Sequence, residues 1–234
     1  MIILAIGAHP DDLEISCAGT LAKMVQAGHE VVLVHACSGD KGHFEIPPDE
    51  LTRIRAEEAQ QAGAVIASRV ISLGVKDMEI RANDEEVRRK FIDLMCEVQP
   101  DIVITHTPDD YMNDHTVVSQ LVFDTTFAAT LPGASERYSS AKQVPALFYM
   151  DNLSGMNFQP TIYVDITNQF AIKLDMMRKH DSQLQWLKDH DGVDILDCLT
   201  TLGKMRGMQA GCNYAEGFIQ HMVWGRPNAV RFPV

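Results

Sequence analysis

Short runs of Val, Ile and Leu alternate with amphipathic segments through the first half of the chain, and this alternation limits the fold more than any other feature. The apolar runs predict buried strands at residues 2–8, 31–34, 70–73 and 101–105. The segments between and after them predict helices at residues 13–27, 51–62, 85–98 and 117–129. Buried strands joined by helices form a parallel sheet that is covered on both faces. The sequence therefore predicts a Rossmann-like, doubly wound α/β fold with a mostly parallel sheet.

The rest of the chain continues this architecture. Strands are predicted at residues 146–150 and 161–166, followed by one long helix at residues 170–188. Neither a repeat nor a linker interrupts the 234 residues. We expect a single domain, in which residues 1–130 form the Rossmann-like core and residues 145–234 complete it.

Charge and cysteine content limit the partners of the protein. The net charge is −12 and Lys and Arg form no run longer than three residues, which argues against nucleic acid and anionic membranes, because such partners require a basic face. No apolar stretch reaches the length of a membrane-spanning helix, and the first residues lack the basic region of a signal peptide. Five scattered cysteines without a CxxC pair indicate free thiols in a reducing cytoplasm.

A polar cluster follows the first predicted strand. His9, Asp11 and Asp12 occur within four positions, and doubly wound folds bind ligands at the carboxyl ends of their strands. An imidazole and a carboxylate three residues apart suit a zinc-like ion, whereas the GxGxxG pattern of a dinucleotide site is absent. A plainer interpretation stays open, since either aspartate could cap the next helix and His9 could be a turn residue.

A second polar cluster follows the fourth predicted strand. It contains His106, Asp109, Asp110, Asp114 and His115. Strands one and four of a doubly wound sheet usually flank its switch point, so we expect the two clusters to face each other across one crevice. Asp114 fits a carboxylate that orients a ligand imidazole, or alternatively a helix cap. Together the two clusters favour a metal site.

These residues lie in blocks that resemble the LmbE/PIG-L family of metal-dependent deacetylases. The opening block is "AHPDDLEISCAGTLAKMVQAGHEVVLV", and shorter blocks follow over nearly the whole chain: "RAEEA", "QPDIVITH", "NDH", "KHDSQ" and "YAEGF". The resemblance implies a Rossmann-like sheet, an enzyme that removes N-acetyl groups from N-acetylglucosamine-type substrates, and a homo-oligomer.

The resemblance also implies roles for individual residues. The expected zinc ligands are His9, Asp12 and His115. Asp11 would be the general base, and Asp114 would hold a neighbouring histidine or tune that base. Arg55 would contact the substrate, although Arg53 could take this part instead. Two histidines and one carboxylate leave metal positions open for water and an amide oxygen, and they accept ferrous iron or another divalent ion as well as zinc.

One position departs from the family pattern. Many relatives have His-Pro-Asp-His where this chain has Met-Asn-Asp-His, with methionine at position 112. Methionine cannot donate the hydrogen bond that stabilises an oxyanion, and the loss of such a donor typically costs ~10²–10³ in turnover. His106 is a candidate replacement, and Asp40 in the "SGDKGH" loop is a candidate contact to a polar substrate.

The sequence therefore predicts a metal-dependent hydrolase that removes an N-acyl group from a small substrate related to amino sugars. Two alternatives stay open. One is a metallohydrolase that acts on a different amide or on an ester. The other is a binding protein that keeps the metal pocket without turnover.

Overall fold

A computed structural model describes residues 1–227 and 232–234 of the chain. The strands are β1 (Ile2–Gly7), β2 (Glu30–Cys37), β3 (Arg69–Val75), β4 (Ile102–His106), β5 (Ala146–Met150), β6 (Ile162–Asp165) and β7 (Ala215–Gln220). The helices are α1 (Asp12–Ser16), α2 (Ala18–Gln26), α3 (Pro48–Val65), α4 (Glu85–Val98), α5 (Asn113–Ala128), α6 (Phe170–Met177), α7 (Asp181–Asp191) and α8 (Ile195–Ala210).

The strands within these residues form one sheet in the order β3-β2-β1-β4-β5-β7-β6. Strands β1 to β5 pair in parallel, and β7 runs antiparallel to both of its neighbours. The strand order reverses between β1 and β4, so the switch point lies where the two polar clusters end their strands. The predicted Rossmann-like α/β fold with a mostly parallel sheet is confirmed.

Both faces of the sheet are buried, as a parallel sheet requires. Successive residues of β1 and β2 alternate between two apolar layers: Leu4 and Val32 pack in one, Ile3 and Val31 in the other. Helices α4 and α5 cover the first layer, and helices α1, α2 and α6 cover the second. The central strands are therefore rigidly held, and the loops at their carboxyl ends are set on a fixed platform.

The prediction of a single helix at residues 13–27 is wrong, because the helix is interrupted at Cys17. The backbone N–H groups of Gly19 and Thr20 donate to the two carboxylate oxygens of Glu216 at 3.0 and 2.7 Å. A buried carboxylate from β7 thus caps a new helix, α2. The apolar periodicity is the same on both sides of the break and does not reveal it.

The prediction of one helix at residues 170–188 is wrong for the same physical reason. The segment divides into α6 and α7, and His180 between them has a non-helical backbone. Glu58 of α3 accepts hydrogen bonds from the backbone N–H and the hydroxyl of Ser182, at 2.8 and 2.6 Å. Helix α8 and strand β7 were not predicted, and β7 lies between β5 and β6.

No helix in the described part of the chain is long and apolar enough to cross a membrane.

Candidate metal and catalytic site

Three metal-ligand candidates meet at the switch point. His9 follows β1, Asp12 begins α1, and His115 lies in the first turn of α5. Their ligand atoms lie within 4.8 Å of one another. Asp12 Oδ1 lies 3.2 Å from His115 Nε2, and Asp12 Oδ2 lies 3.5 Å from His9 Nδ1. The buried Nε2 of His115 makes no hydrogen bond within the described residues, which fits a nitrogen that ligates a cation. The donor set suits a divalent metal ion.

Two further carboxylates orient the histidine rings. Asp114 Oδ2 lies 3.2 Å from His9 Nε2, and Asp110 Oδ1 lies 3.0 Å from His115 Nδ1. Each ring thus bonds a carboxylate with one nitrogen and turns the other towards Asp12, as metal-binding histidines usually do. The sequence assigned no role to Asp110. The conformation of the loop between β4 and α5 brings Asp110 to His115. No known sequence spacing identifies a carboxylate five residues before a ligand histidine as its partner.

The charges in this centre are strongly coupled. Burial lowers the pKa of His9, but hydrogen bonds to Asp114 and Asp12 outweigh it and raise the pKa to about 10. Burial also lowers the pKa of His115, whereas the charge of Asp12 and the hydrogen bond to Asp110 raise it to about 9. Burial opposes ionisation of Asp12, but the charges of His115 and His106 hold its pKa well below the usual value. A metal ion that binds here must displace the protons of both ligand rings.

His106 lies at the floor of the site. Its ring stacks on His115, with centroids 3.9 Å apart and planes inclined by 14°. The Ala8 N–H donates to His106 Nε2 at 2.9 Å, and Asp12 Oδ2 lies 3.2 Å from the same nitrogen. Burial lowers the pKa of His106, and the residue is 2% exposed. The structure therefore places His106 beneath the ligand set, where its ring supports His115.

Asp11 lies beside the ligand set in a strained backbone conformation. Its φ of 128° falls in a region that L residues rarely adopt. Arg55 Nη2 lies 3.3 Å from Asp11 Oδ1 and donates to the Pro10 carbonyl oxygen at 2.6 Å. Burial raises the pKa of Asp11 to about 6, although the charge of Arg55 lowers it. A carboxyl group that titrates near neutral pH can both accept and release a proton.

The loop after β2 holds the Arg55 side chain. Arg55 Nη1 donates to the Gly39 carbonyl oxygen at 3.3 Å, and a Cβ at Gly39, whose φ is 74°, would lie 2.6 Å from Arg55 Nε. Arg53 is exposed, because two residues correspond to about 200° of rotation around a helix. Asp40 Oδ1 accepts the Asp77 N–H at 2.8 Å and so braces the loop. The structure brings Arg55 to the site and leaves Arg53 away from it.

A buried polar layer lies behind Asp11. His180 is fully buried, and its Nε2 lies 3.4 Å from Glu14 Oε2. Burial lowers the pKa of His180, but the charges of Glu14 and Asp11 raise it. His35 Nδ1 lies 3.1 Å from the His9 carbonyl oxygen. Glu14 lies in the opening block and His180 in the "KHDSQ" block, but the sequence did not indicate their contact, because contacts between residues so distant in the chain leave no local pattern.

Comparisons with known proteins agree with this geometry. The family profile described as GlcNAc-PI de-N-acetylase (PIG-L) matches residues 4–126, which is more than half of the chain. The chain belongs to the PIG-L family. The diacetylchitobiose deacetylase of Thermococcus kodakarensis is 27% identical over 228 residues, which cover 92% of this chain and 81% of that protein. The predicted membership of the LmbE/PIG-L family is confirmed.

Solved structures share the whole fold. N,N'-diacetylchitobiose deacetylase from Pyrococcus horikoshii matches with a TM-score of 0.81 and 25% identity, over 94% of this chain and 83% of that one. The 4-carboxy-2-hydroxymuconate hydratase from Pseudomonas putida KT2440 matches with a TM-score of 0.82 and 20% identity, over 98% and 99%. The match to the hydratase shows a shared fold only. Because this fold occurs in proteins with different activities, the function has to be argued from the residues of the site.

Proposed function

We propose that this protein is a metal-dependent deacetylase that hydrolyses the N-acyl group, most simply an N-acetyl group, of an amino sugar or its conjugate. The convergence of His9, Asp12 and His115 with Asp11 in one crevice carries the proposal. Family membership and a deacetylase relative that covers most of the chain support the same reaction. Zinc is the proposed ion, and the same donors accept ferrous iron or another divalent cation.

The residues of the chain divide the chemistry among them. When bound, the metal ion supplies Lewis acidity that polarises the amide and lowers the pKa of water. Asp11 accepts the proton of the attacking water and later releases a proton to the departing amine. Arg55, 3.3 Å from Asp11, fixes the direction of that carboxylate. Asp114 and Asp110 keep the ligand histidines turned towards Asp12.

The orienting role of Asp110 gives a prediction about metal affinity. Asp110→Asn should lower the affinity of the protein for zinc by about 10–100-fold, because the neutral amide holds the His115 ring less firmly and makes it less basic. Competition with a chromogenic chelator measures this affinity. Asp109→Asn, an exposed neighbour in the same loop, is the matched control and should leave zinc affinity unchanged. Equal affinities for the two variants would contradict the assignment.

Release of carboxylate from a substrate panel tests the reaction itself. The panel contains N-acetylglucosamine, N,N'-diacetylchitobiose, an N-acetylglucosaminyl inositol and simple non-sugar N-acetyl amides. We expect acetate from at least one sugar with zinc-loaded protein, and none after chelation. If acetate is released only from the non-sugar amides, the amino-sugar assignment is wrong. The protein would then be an amidase that acts on other substrates. Stoichiometric zinc without any product would favour the binding protein.

Two observations favour a second candidate function. The side chain at position 112 is a methionine, and the fold is shared with a hydratase. A reaction that adds water to a carbon–carbon double bond would use the same ligand set and the same general base. Loss of ultraviolet absorbance from 4-carboxy-2-hydroxymuconate, with no acetate from any amide, would favour this alternative.

Two further proposals concern the cellular location and the oligomeric state of the protein. We infer a cytoplasmic location because all five cysteines are free thiols. A homo-oligomer is supported by Phe123, Phe127 and Leu131, which recur every four residues and are 45%, 55% and 48% exposed.

A further inference from the structure

Amide hydrolysis places negative charge on the amide oxygen, and a fixed hydrogen-bond donor beside that oxygen is worth ~10²–10³ in turnover. Two donor side chains beside the ligand set are held in place by other contacts. Arg55 is held by Asp11 and by two backbone carbonyl groups. His106 lies under His115 and bonds into the floor. Met112 is 39% exposed beside the site, but its thioether has no hydrogen to donate.

Tyr111 offers a further donor at this end of the crevice. It directly precedes Met112, and its ring stands edge-on to His115 with centroids 5.5 Å apart and planes inclined by 74°. Tyr111 is 64% exposed, and its hydroxyl makes no hydrogen bond to any residue that the structure describes. An unengaged hydroxyl next to a metal ligand can reach a substrate without breaking an existing contact.

The chemistry of the Tyr111 side chain fits this role. A phenol keeps its proton at neutral pH, so its O–H group is a hydrogen-bond donor. The ring contacts His115 while most of the residue stays open to solvent.

We propose that the Tyr111 hydroxyl donates a hydrogen bond to the substrate's amide oxygen as that oxygen gains charge, and so replaces the donor that Met112 cannot provide. The inference rests on the proposed deacetylase function. The tyrosine forms no covalent bond and keeps its proton throughout. Its contribution is therefore to the transition state rather than to substrate binding.

Turnover of Tyr111→Phe tests the proposal. The variant should lower kcat by ~10²–10³ with little change in KM, because a donor used only in the transition state is lost. Its affinity for a methylphosphonamidate analogue of the substrate, which imitates the tetrahedral state, should fall in parallel. Zinc affinity should equal that of the wild type. Tyr163→Phe, in β6, is the matched control and should be neutral.

A rescue variant separates a catalytic donor from a structural role. Met112→His supplies a ring N–H one residue away, so the double variant Tyr111→Phe/Met112→His should recover at least about tenfold of the lost kcat. A kcat of Tyr111→Phe within threefold of wild type would overturn the Tyr111 assignment while the deacetylase function stands. A wild type that releases no acetate from any amide would overturn both.

Discussion

Asp11→Asn is expected to lower kcat for acetate release by about 10²–10⁴, the usual contribution of a general acid–base group. Asparagine keeps the shape of the side chain but cannot take a proton from water. Asp11 is suited to this task because it is 4% exposed and its pKa is raised to about 6 by burial. Steady-state kinetics on the best substrate of the panel, with zinc-loaded protein, measures the effect.

Measurements of zinc content and of the folded state show whether Asp11→Asn has lost only the general base or the whole metal site. Asparagine tolerates positive φ better than most residues, so the unusual backbone at position 11 should persist in the variant. We expect one bound zinc per chain and a wild-type circular dichroism spectrum. A reduction in kcat of less than tenfold, with zinc bound, would show that another group acts as the base.

Glu216→Ala should lower the free energy of unfolding by about 3–5 kcal/mol, the range for a buried ion pair that loses one partner. Glu216 Oε1 accepts a hydrogen bond from Lys173 Nζ at 2.6 Å, and both residues are at most 4% exposed. The same carboxylate caps α2 through two backbone N–H groups. The alanine variant therefore leaves the buried ammonium without its counter-charge and the helix end uncapped. Urea unfolding followed by circular dichroism measures the change.

Two companion variants test this interpretation. Asp124→Ala breaks the exposed ion pair with Arg88, whose atoms are 2.7 Å apart, and should cost only about 0–1 kcal/mol. Lys173→Met combined with Glu216→Gln leaves no unpaired charge and should be more stable than Glu216→Ala. If Glu216→Ala and Asp124→Ala proved equally stable, the buried pair would have no special role.

The sequence predicted the sheet and the approach of the two polar clusters because both depend on local patterns. Buried strands such as β1 and β4 appear as continuous apolar runs, and their carboxyl ends must meet at one edge of a parallel sheet. His9 and His115 were therefore expected to approach each other, and their rings are 5.5 Å apart. Helix α4 also has the predicted bounds, since Asp84 caps it and Gln99, with φ of 55°, ends it.

Features that depend on contacts between distant residues could not be predicted. Asp110 turns to His115 through a loop conformation, and Glu14 lies beside His180 although the two are far apart in the chain. The breaks in the helices depend on carboxylates that approach from other elements. Apolar periodicity indicates which face of a segment is buried. It contains no information about a polar side chain that another element places against that segment.

The capping of α2 and α7 by remote carboxylates has a consequence for how the chain can vary by recombination. Glu216 belongs to the C-terminal part of the chain and caps a helix of the N-terminal part, whereas Glu58 belongs to the N-terminal part and caps a helix of the C-terminal part. The dependence is reciprocal. A crossover with a homologue near residue 140 would separate each carboxylate from the helix that it serves, unless both parents carry the same pairs. The two parts are therefore expected to be inherited together.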